Sequence, residues 1–124
     1  MNGIILALAL ASICMSAVAQ VLFKLGMSGV SVRAALADGT APAIVRAVAL
    51  NPGILGGLAL YGLGTVFWLG VLSRAELSQA YPFVGLSFVL TAIFGAVLFH
   101  DALSPQRIAG IVAIVLGVWL VGRS

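Results

Sequence analysis

The stretch from Ile4 to Lys24, IILALALASICMSAVAQVLFK, decides the fold. From Ile4 to Phe23 it carries no charge, and it is long enough to cross hydrocarbon as a helix, which needs about 20 apolar residues. Yet Ser12, Ser16 and Gln20 recur every four residues and Lys24 follows one turn later, so four polar groups share one side of the helix. Hydrocarbon offers them no hydrogen bonds, and a helix that only anchors has no use for such a row. The row predicts a helix lining a polar path across a bilayer.

Outward from this segment the chain keeps the same character. Of its 124 residues 63% are hydrophobic and 7% charged, with a mean hydropathy of +1.26. A soluble domain of this size has too little interior to bury so much apolar surface. Four spans follow from hydropathy, at about 4–23, 52–72, 80–99 and 105–121. The expected class is an all-α integral membrane protein, with residues 1–124 forming a single four-helix transmembrane domain. Ala17-Val18-Ala19 before Gln20 has the look of a signal-peptidase site, but Met1-Asn2-Gly3 supplies no basic residue and the apolar run continues to Phe23, so a retained helix is expected.

Cys14 stands alone inside the first span, which excludes an intramolecular disulfide and reads as a small buried hydrophobe. The net charge is +3, but the six Lys and Arg are scattered at span ends, which suits lipid headgroups rather than nucleic acid. Lys24, Arg33, Arg46 and Arg107 fall on one side of the membrane, Arg74 and Arg123 on the other. Counted as a positive-inside bias, this puts the first set in the cytoplasm, unless Lys24 or Arg107 serves function instead.

Local signals mark the helix ends. Asn51-Pro52-Gly53 opens the second span, Ser78 is placed to cap the third with Pro82 near its first turn, and Ser104-Pro105 opens the fourth. Short connections at 73–78 and 100–104 predict that spans two, three and four are antiparallel neighbours. The longer connection from Leu25 to Asn51 holds apolar residues among Arg33 and Arg46 and is broken at Asp38-Gly39-Thr40. It reads as short interfacial helix, the second piece able to run on into the second span. Small residues at spacing four, Ala109, Ala113 and Gly117 in the fourth span and Gly53 and Gly57 in the second, allow close helix contact. Four short helices do not easily enclose a polar path alone, so one ladder is expected at a dimer contact, with packing inside the monomer as the competing reading.

The inventory of reactive groups is short. There is one His, one Cys, no phosphate-binding GxxxxGK[ST] loop and no pair of carboxylates within a span, so neither ATP hydrolysis nor covalent catalysis is expected and no cofactor or metal is implied. No Asp or Glu lies inside a span either; Glu76 beside Arg74 reads as an interfacial ion pair and His100-Asp101 as a solvated helix end. Lys24 suits a point charge that meets an anion such as phosphate at the membrane surface, with snorkelling as its ordinary alternative. Ser12 and Ser16 read equally well as groove or as packing residues. Trp68 and Tyr81 belong to an aromatic belt or, alternatively, to a site for a sugar or organic cation. Ser87, Thr91 and Gly95 repeat at spacing four and offer a second weakly polar face that would oppose the first helix across a groove.

Several of these elements taken together resemble a known group. Ser16-Ala17-Val18-Ala19-Gln20 with Lys24, Phe67-Trp68-Leu69, Leu77-Ser78-Gln79-Ala80-Tyr81-Pro82 with Leu86-Ser87-Phe88-Val89, and Leu103-Ser104-Pro105 with Gly110 to Gly117 are similar to the four-helix members of the drug/metabolite transporter superfamily. Two branches compete: small multidrug resistance antiporters, and EamA-type small subunits that flip undecaprenyl phosphate-linked aminoarabinose. The first branch carries a Glu eight residues before the Lys of helix one, where this chain has Ser16, and the Ala-Tyr-Pro and Leu-Ser-Pro elements are similar to the second. The resemblance implies a flippase of the bacterial inner membrane and not an enzyme. Its implied partners are a lipid-linked phosphate, surrounding membrane lipids and a second copy or a related small subunit. The implied substrate path draws on Ser12, Ser16, Gln20, Lys24, Trp68, Arg74, Tyr81 and Ser87. A small-molecule exporter and a non-transporting assembly subunit remain as alternatives.

Overall fold

A computed structural model describes residues 2–124. The described residues are mostly helical: α1 Gly3–Met27, α2 Val30–Asp38, α3 Ala41–Ala49, α4 Pro52–Leu72, α5 Leu77–Ala80, a 3₁₀ segment Tyr81–Val84, α6 Gly85–Leu98 and α7 Pro105–Arg123. Four helical stretches, Gly3–Met27, Pro52–Leu72, Leu77–Leu98 and Pro105–Arg123, are long and apolar enough to cross a membrane. The protein is an all-α integral membrane protein with four transmembrane helices.

The helix starts follow from capping chemistry. Asn2 Oδ1 accepts from the Ile5 amide at 2.9 Å, and Ser104 Oγ accepts from the Arg107 amide at 3.2 Å. Asn51 Oδ1 accepts from Gly53 and Ile54 at 2.9 and 3.2 Å while its Nδ2 donates to the Gly26 carbonyl at 3.1 Å, so one side chain both opens α4 and ties it to the end of α1. That cap also separates α3 from α4, so the two are not one continuous helix. Gly39 sits in the left-handed region and separates α2 from α3. The third span starts two residues earlier than a cap at Ser78 predicts, with Glu76 at the N-cap and no side-chain cap bond. Pro82 has no N–H to give and its ring crowds the preceding turn, and the chain runs as 3₁₀ helix across it before α6 resumes.

Packing centres on α1, whose most extensive contact is with α4, followed by α6. Along α1, Ile5, Ser12, Ala19 and Gly26 are all buried at a spacing of seven. Gly57, Gly64 and Val71 answer them on α4 at the same spacing. A Cβ at Gly57 would lie 3.1 Å from the Ala19 carbonyl, and one at Gly64 3.4 Å from the Ser12 carbonyl. Ser12 Oγ donates to the Gly64 carbonyl at 2.7 Å, across 52 residues of sequence. A sevenfold repeat keeps two helices in register when they wrap with a left-handed twist, and glycine lets their backbones meet where lipid supplies no hydrophobic force.

Of the two readings of the small-residue ladders, packing inside the monomer holds for the α4 glycines, which lie against α1. One expectation about neighbours changes. Spans two and three are not packed side by side: α4 makes its third-span contact with α5, and beyond that point a cavity lies between α4 and α6. Cys14, expected to be buried, is exposed. On α7, Ile114 and Val118 pack over Gly85 and Gly122 packs on Phe83, whereas Ala109, Ala113 and Gly117 are exposed on largely the opposite side of the helix.

The seam makes two predictions. Gly57→Leu drives a side chain into the Phe23 ring, 2.6 Å from the position of its Cβ, and should cost about 1–3 kcal/mol, whereas Gly62→Leu, where nothing lies within 4 Å, should be near neutral. Ser12→Ala removes the bond to Gly64 and should cost roughly 0.6–1.7 kcal/mol, with Ser16→Ala unchanged. Unfolding of the four variants by SDS titration in mixed micelles checks both.

Candidate functional site

The row of polar residues on α1 does not run straight along the helix. Four residues turn the helix through about 400°, so each step of four advances the row by roughly 40° and the row winds by about 120° from Ser12 to Lys24. Ser12 therefore points into α4, and Lys24 has turned toward α6. The two ends of the row consequently sit in different surroundings.

In the middle of the molecule a cavity of about 320 Å³ is bounded by Ser12, Ile13 and Ser16 of α1, Tyr61, Gly64, Thr65 and Trp68 of α4, and Tyr81, Val84 and Ser87 from the third span. Five of the expected residues, Ser12, Ser16, Trp68, Tyr81 and Ser87, are thus brought together. Trp68 and Tyr81 meet edge to face with ring centroids 6.4 Å apart. Trp68 also packs on the cluster of Ile5, Ala9, Val71 and Ala80, which holds the indole in place. The 3₁₀ segment starts at Tyr81, so Pro82 helps to bring that ring to the cavity.

The hydroxyls of the cavity differ in what they have left to offer. Ser12 gives its proton to Gly64, Ser87 donates to the Val84 carbonyl at 2.6 Å, and Thr65 donates to the Tyr61 carbonyl at 2.9 Å. These three present oxygen lone pairs to a guest. Among the described residues Ser16 and the two phenols make no such bond and retain both donor and acceptor capacity.

A second cavity of about 280 Å³ continues along α1 where Gln20, Val21 and Lys24 face Thr91, Phe94, Gly95, Phe99 and Asp101. Of the second face expected from Ser87, Thr91 and Gly95, the last two oppose α1 here, and Ser87 opposes it at the first cavity. Gln20 and Lys24 are both exposed. The residue not anticipated is Asp101. Its amide donates to the Gly95 carbonyl at 3.0 Å after a left-handed turn at His100, φ 57°. Its Oδ2 lies 2.5 Å from the point a Cβ on Gly95 would occupy, so only glycine leaves room for the carboxylate. The sequence signal was a glycine six residues before an acidic helix end.

Arg74 belongs to neither cavity. It borders a third, of about 610 Å³, with Ile5, Glu76, Ser78, Gln79, Val121 and Ser124 at the opposite end of the bundle. The ion pair expected between Arg74 and Glu76 is not formed among the described residues, although both border this space. From Ile5 to Lys24 is 19 residues of helix, about 28 Å, close to the roughly 30 Å of a hydrocarbon core. The three cavities therefore succeed one another across one membrane thickness, with one cation and one carboxylate bordering each end cavity and hydroxyls and rings between.

Known proteins show similarity over all or part of this chain. A protein of Pseudomonas paraeruginosa bearing the name "Probable 4-amino-4-deoxy-L-arabinose-phosphoundecaprenol flippase subunit ArnE" is 35% identical over 117 residues, 94% of this chain and 96% of that protein. An ArnE subunit of Pseudomonas savastanoi is 42% identical over 66 residues, 53% of this chain. An ArnF flippase subunit of Proteus mirabilis is 42% identical over 69 residues, 54% of this chain. These last two matches span only 58% and 52% of the relatives' own lengths. No family model and no solved structure matches the chain. The kinship and the four apolar helices make this a multi-pass protein of the inner membrane. At 35% identity over nearly the full length of both chains, the protein belongs to the family of the 4-amino-4-deoxy-L-arabinose-phosphoundecaprenol flippase subunits ArnE and ArnF.

Proposed function

We propose that this chain is one subunit of a flippase that carries the phosphosugar headgroup of an undecaprenyl phosphate-linked sugar across the inner membrane while the polyprenyl tail stays in lipid. One observation carries the reading: the succession of cavities along α1, from Arg74 through Ser12, Ser16, Trp68, Tyr81 and Ser87 to Gln20 and Lys24. An ionised phosphate cannot enter hydrocarbon unpaired, so a transfer path needs a cation where the phosphate enters, another where it leaves, and neutral hydrogen-bonding groups between. Lys24 and Arg74 take the two ends. Ser16, Gln20 and the phenol of Tyr81 exchange hydrogen bonds with sugar hydroxyls, and the Trp68 ring supplies a flat apolar face for the sugar ring. Nothing in this scheme makes or breaks a covalent bond, in keeping with relatives that are named as flippase subunits.

The subunit works as a dimer in this reading, with a second copy or with a related small subunit, since the relatives include flippase subunits of two names. The exposed line of Ala109, Ala113 and Gly117 on α7 is the contact. Val118 alone is buried on α7 within the chain, whereas α1 has seven buried residues, so α7 has the most surface left to share. A purely structural role for the polar row fits Ser12, which is bonded to α4, but not Gln20 or Lys24, which are exposed at a cavity.

Flipping of a fluorescent undecaprenyl phosphate sugar in proteoliposomes tests the proposal. Lys24→Ala and Gln20→Leu should each lower the rate about tenfold, the loss of one charge-assisted or one well-placed hydrogen bond, with oligomer yield unchanged. Normal rates in both variants would sink the polar-path reading. Gly117→Leu should shift the oligomer toward monomer on native mass spectrometry, and an unchanged oligomer moves the contact away from α7.

A further inference from the structure

The cavity at the Lys24 end holds one cation and one anion, and the anion sits where helix electrostatics oppose it. Asp101 lies against the last turn of α6, its carboxylate directly over Gly95. The unsatisfied carbonyls of a helix C-terminus carry partial negative charge, so a carboxylate there is disfavoured and a cation favoured. Neither neighbouring cation forms an ion pair with it among the described residues. Lys24 borders the same cavity without forming an ion pair among the described residues. Arg107 borders the adjoining cavity with Asp101, but its Nη1 is bonded to the Ala102 carbonyl at 2.9 Å. Carboxylate and helix end together make a concentrated negative spot that faces the same space as an ammonium group.

We infer that Asp101 is a specificity residue that reads a primary amine on the transported headgroup while Lys24 holds its phosphodiester. This inference rests on the flippase reading above. A pocket with Lys24 alone would accept any lipid phosphate. With Asp101 beside it, a phosphate that brings no cation meets a like charge, whereas a zwitterionic headgroup places −1 on Lys24 and +1 on Asp101 and leaves the pocket neutral. Discrimination thus comes as much from the penalty on the wrong lipid as from attraction to the right one. The carboxylate is exposed, and therefore reachable by the headgroup. Its backbone bond to Gly95 and the turn at His100 fix its position at the mouth of the cavity, so the group that reads the amine is preorganised.

The test compares two lipids that differ only at the amine: an undecaprenyl phosphate amino sugar and its N-acetylated counterpart, which keeps the phosphodiester and loses the positive charge. Binding to the detergent-purified full chain, with its partner subunit where one copurifies, is followed by native mass spectrometry and by flipping in proteoliposomes. Wild type should prefer the amine about tenfold or more, the effect of one charge-assisted contact. Asp101→Asn should remove that preference, with the N-acetylated lipid bound as well as before or better. Asp101→Glu, which restores the charge, should restore part of the preference. Equal loss of both lipids in Asp101→Asn, or no change in the ratio, overturns the specificity role and leaves the flippase reading intact. Failure of wild type to bind or move either lipid overturns both.

Discussion

In a bilayer, apolar side chains gain nothing by leaving lipid for one another, so the stability of this chain rests on how closely α1 lies against α4. The sevenfold repeat of Ile5, Ser12, Ala19 and Gly26 against Gly57, Gly64 and Val71 brings the two backbones near enough for Ser12 to reach the Gly64 carbonyl. Dispersion between backbones at short range and one hydrogen bond in a dry seam do what hydrophobic burial does in water. Asn51 closes the end of the seam by bonding Gly26 while it caps α4. The pair is then a rigid unit, and every other element is hung on it.

That commitment produces the groove. With one face of α1 taken by α4, its next face meets α6, and the wedge between α4 and α6 stays open where Trp68 and Tyr81 stand. The winding of the polar row by about 40° per step then matters. A straight row would have buried all four polar groups in the seam or left all four outside it. Instead the first is used for packing and the later ones are delivered to the groove. A single periodicity thus serves packing at its start and, in the proposed reading, recognition at its end.

Much of this was legible in the residues, and the misses have physical causes. Spans, the caps at Asn51 and Ser104, and the opposition of Ser87, Thr91 and Gly95 to α1 follow from local hydropathy and hydrogen-bonding chemistry, which sequence carries directly. The partner of the α4 glycines stayed open between α1 and a second copy because a spacing of four says that a face is smooth, not which helix covers it; the spacing of seven shared by α1 and α4 was the discriminating signal. Adjacency of the second and third spans failed because a short loop constrains two helix ends, and Pro82 redirects the chain just beyond them. Ser78 lost its cap role since the helix begins at Leu77. Asp101 was hidden by its place in a loop, where only the three-dimensional turn at His100 carries it back over α6.

The distribution of charge explains why such a path need not hold a buried carboxylate. A proton-coupled exchanger alternates proton and substrate on an acidic group within the span, and at the corresponding place this chain has Ser16, a neutral hydroxyl at the central cavity. A phosphodiester passing that point would be repelled by a fixed anion in a medium of low dielectric, and the interaction grows as water is excluded. In the proposed flippase reading, a neutral middle lowers the barrier for an anion without trapping it halfway. The cost in that reading is that the middle binds weakly by itself, so the headgroup stays solvated by Ser16, Tyr81 and accompanying water during its passage. Four helices with α7 lying almost wholly at the periphery give only one wall of such a passage. In the proposed flippase reading the other wall comes from a second chain, which makes association part of the transport path and not an accessory to it.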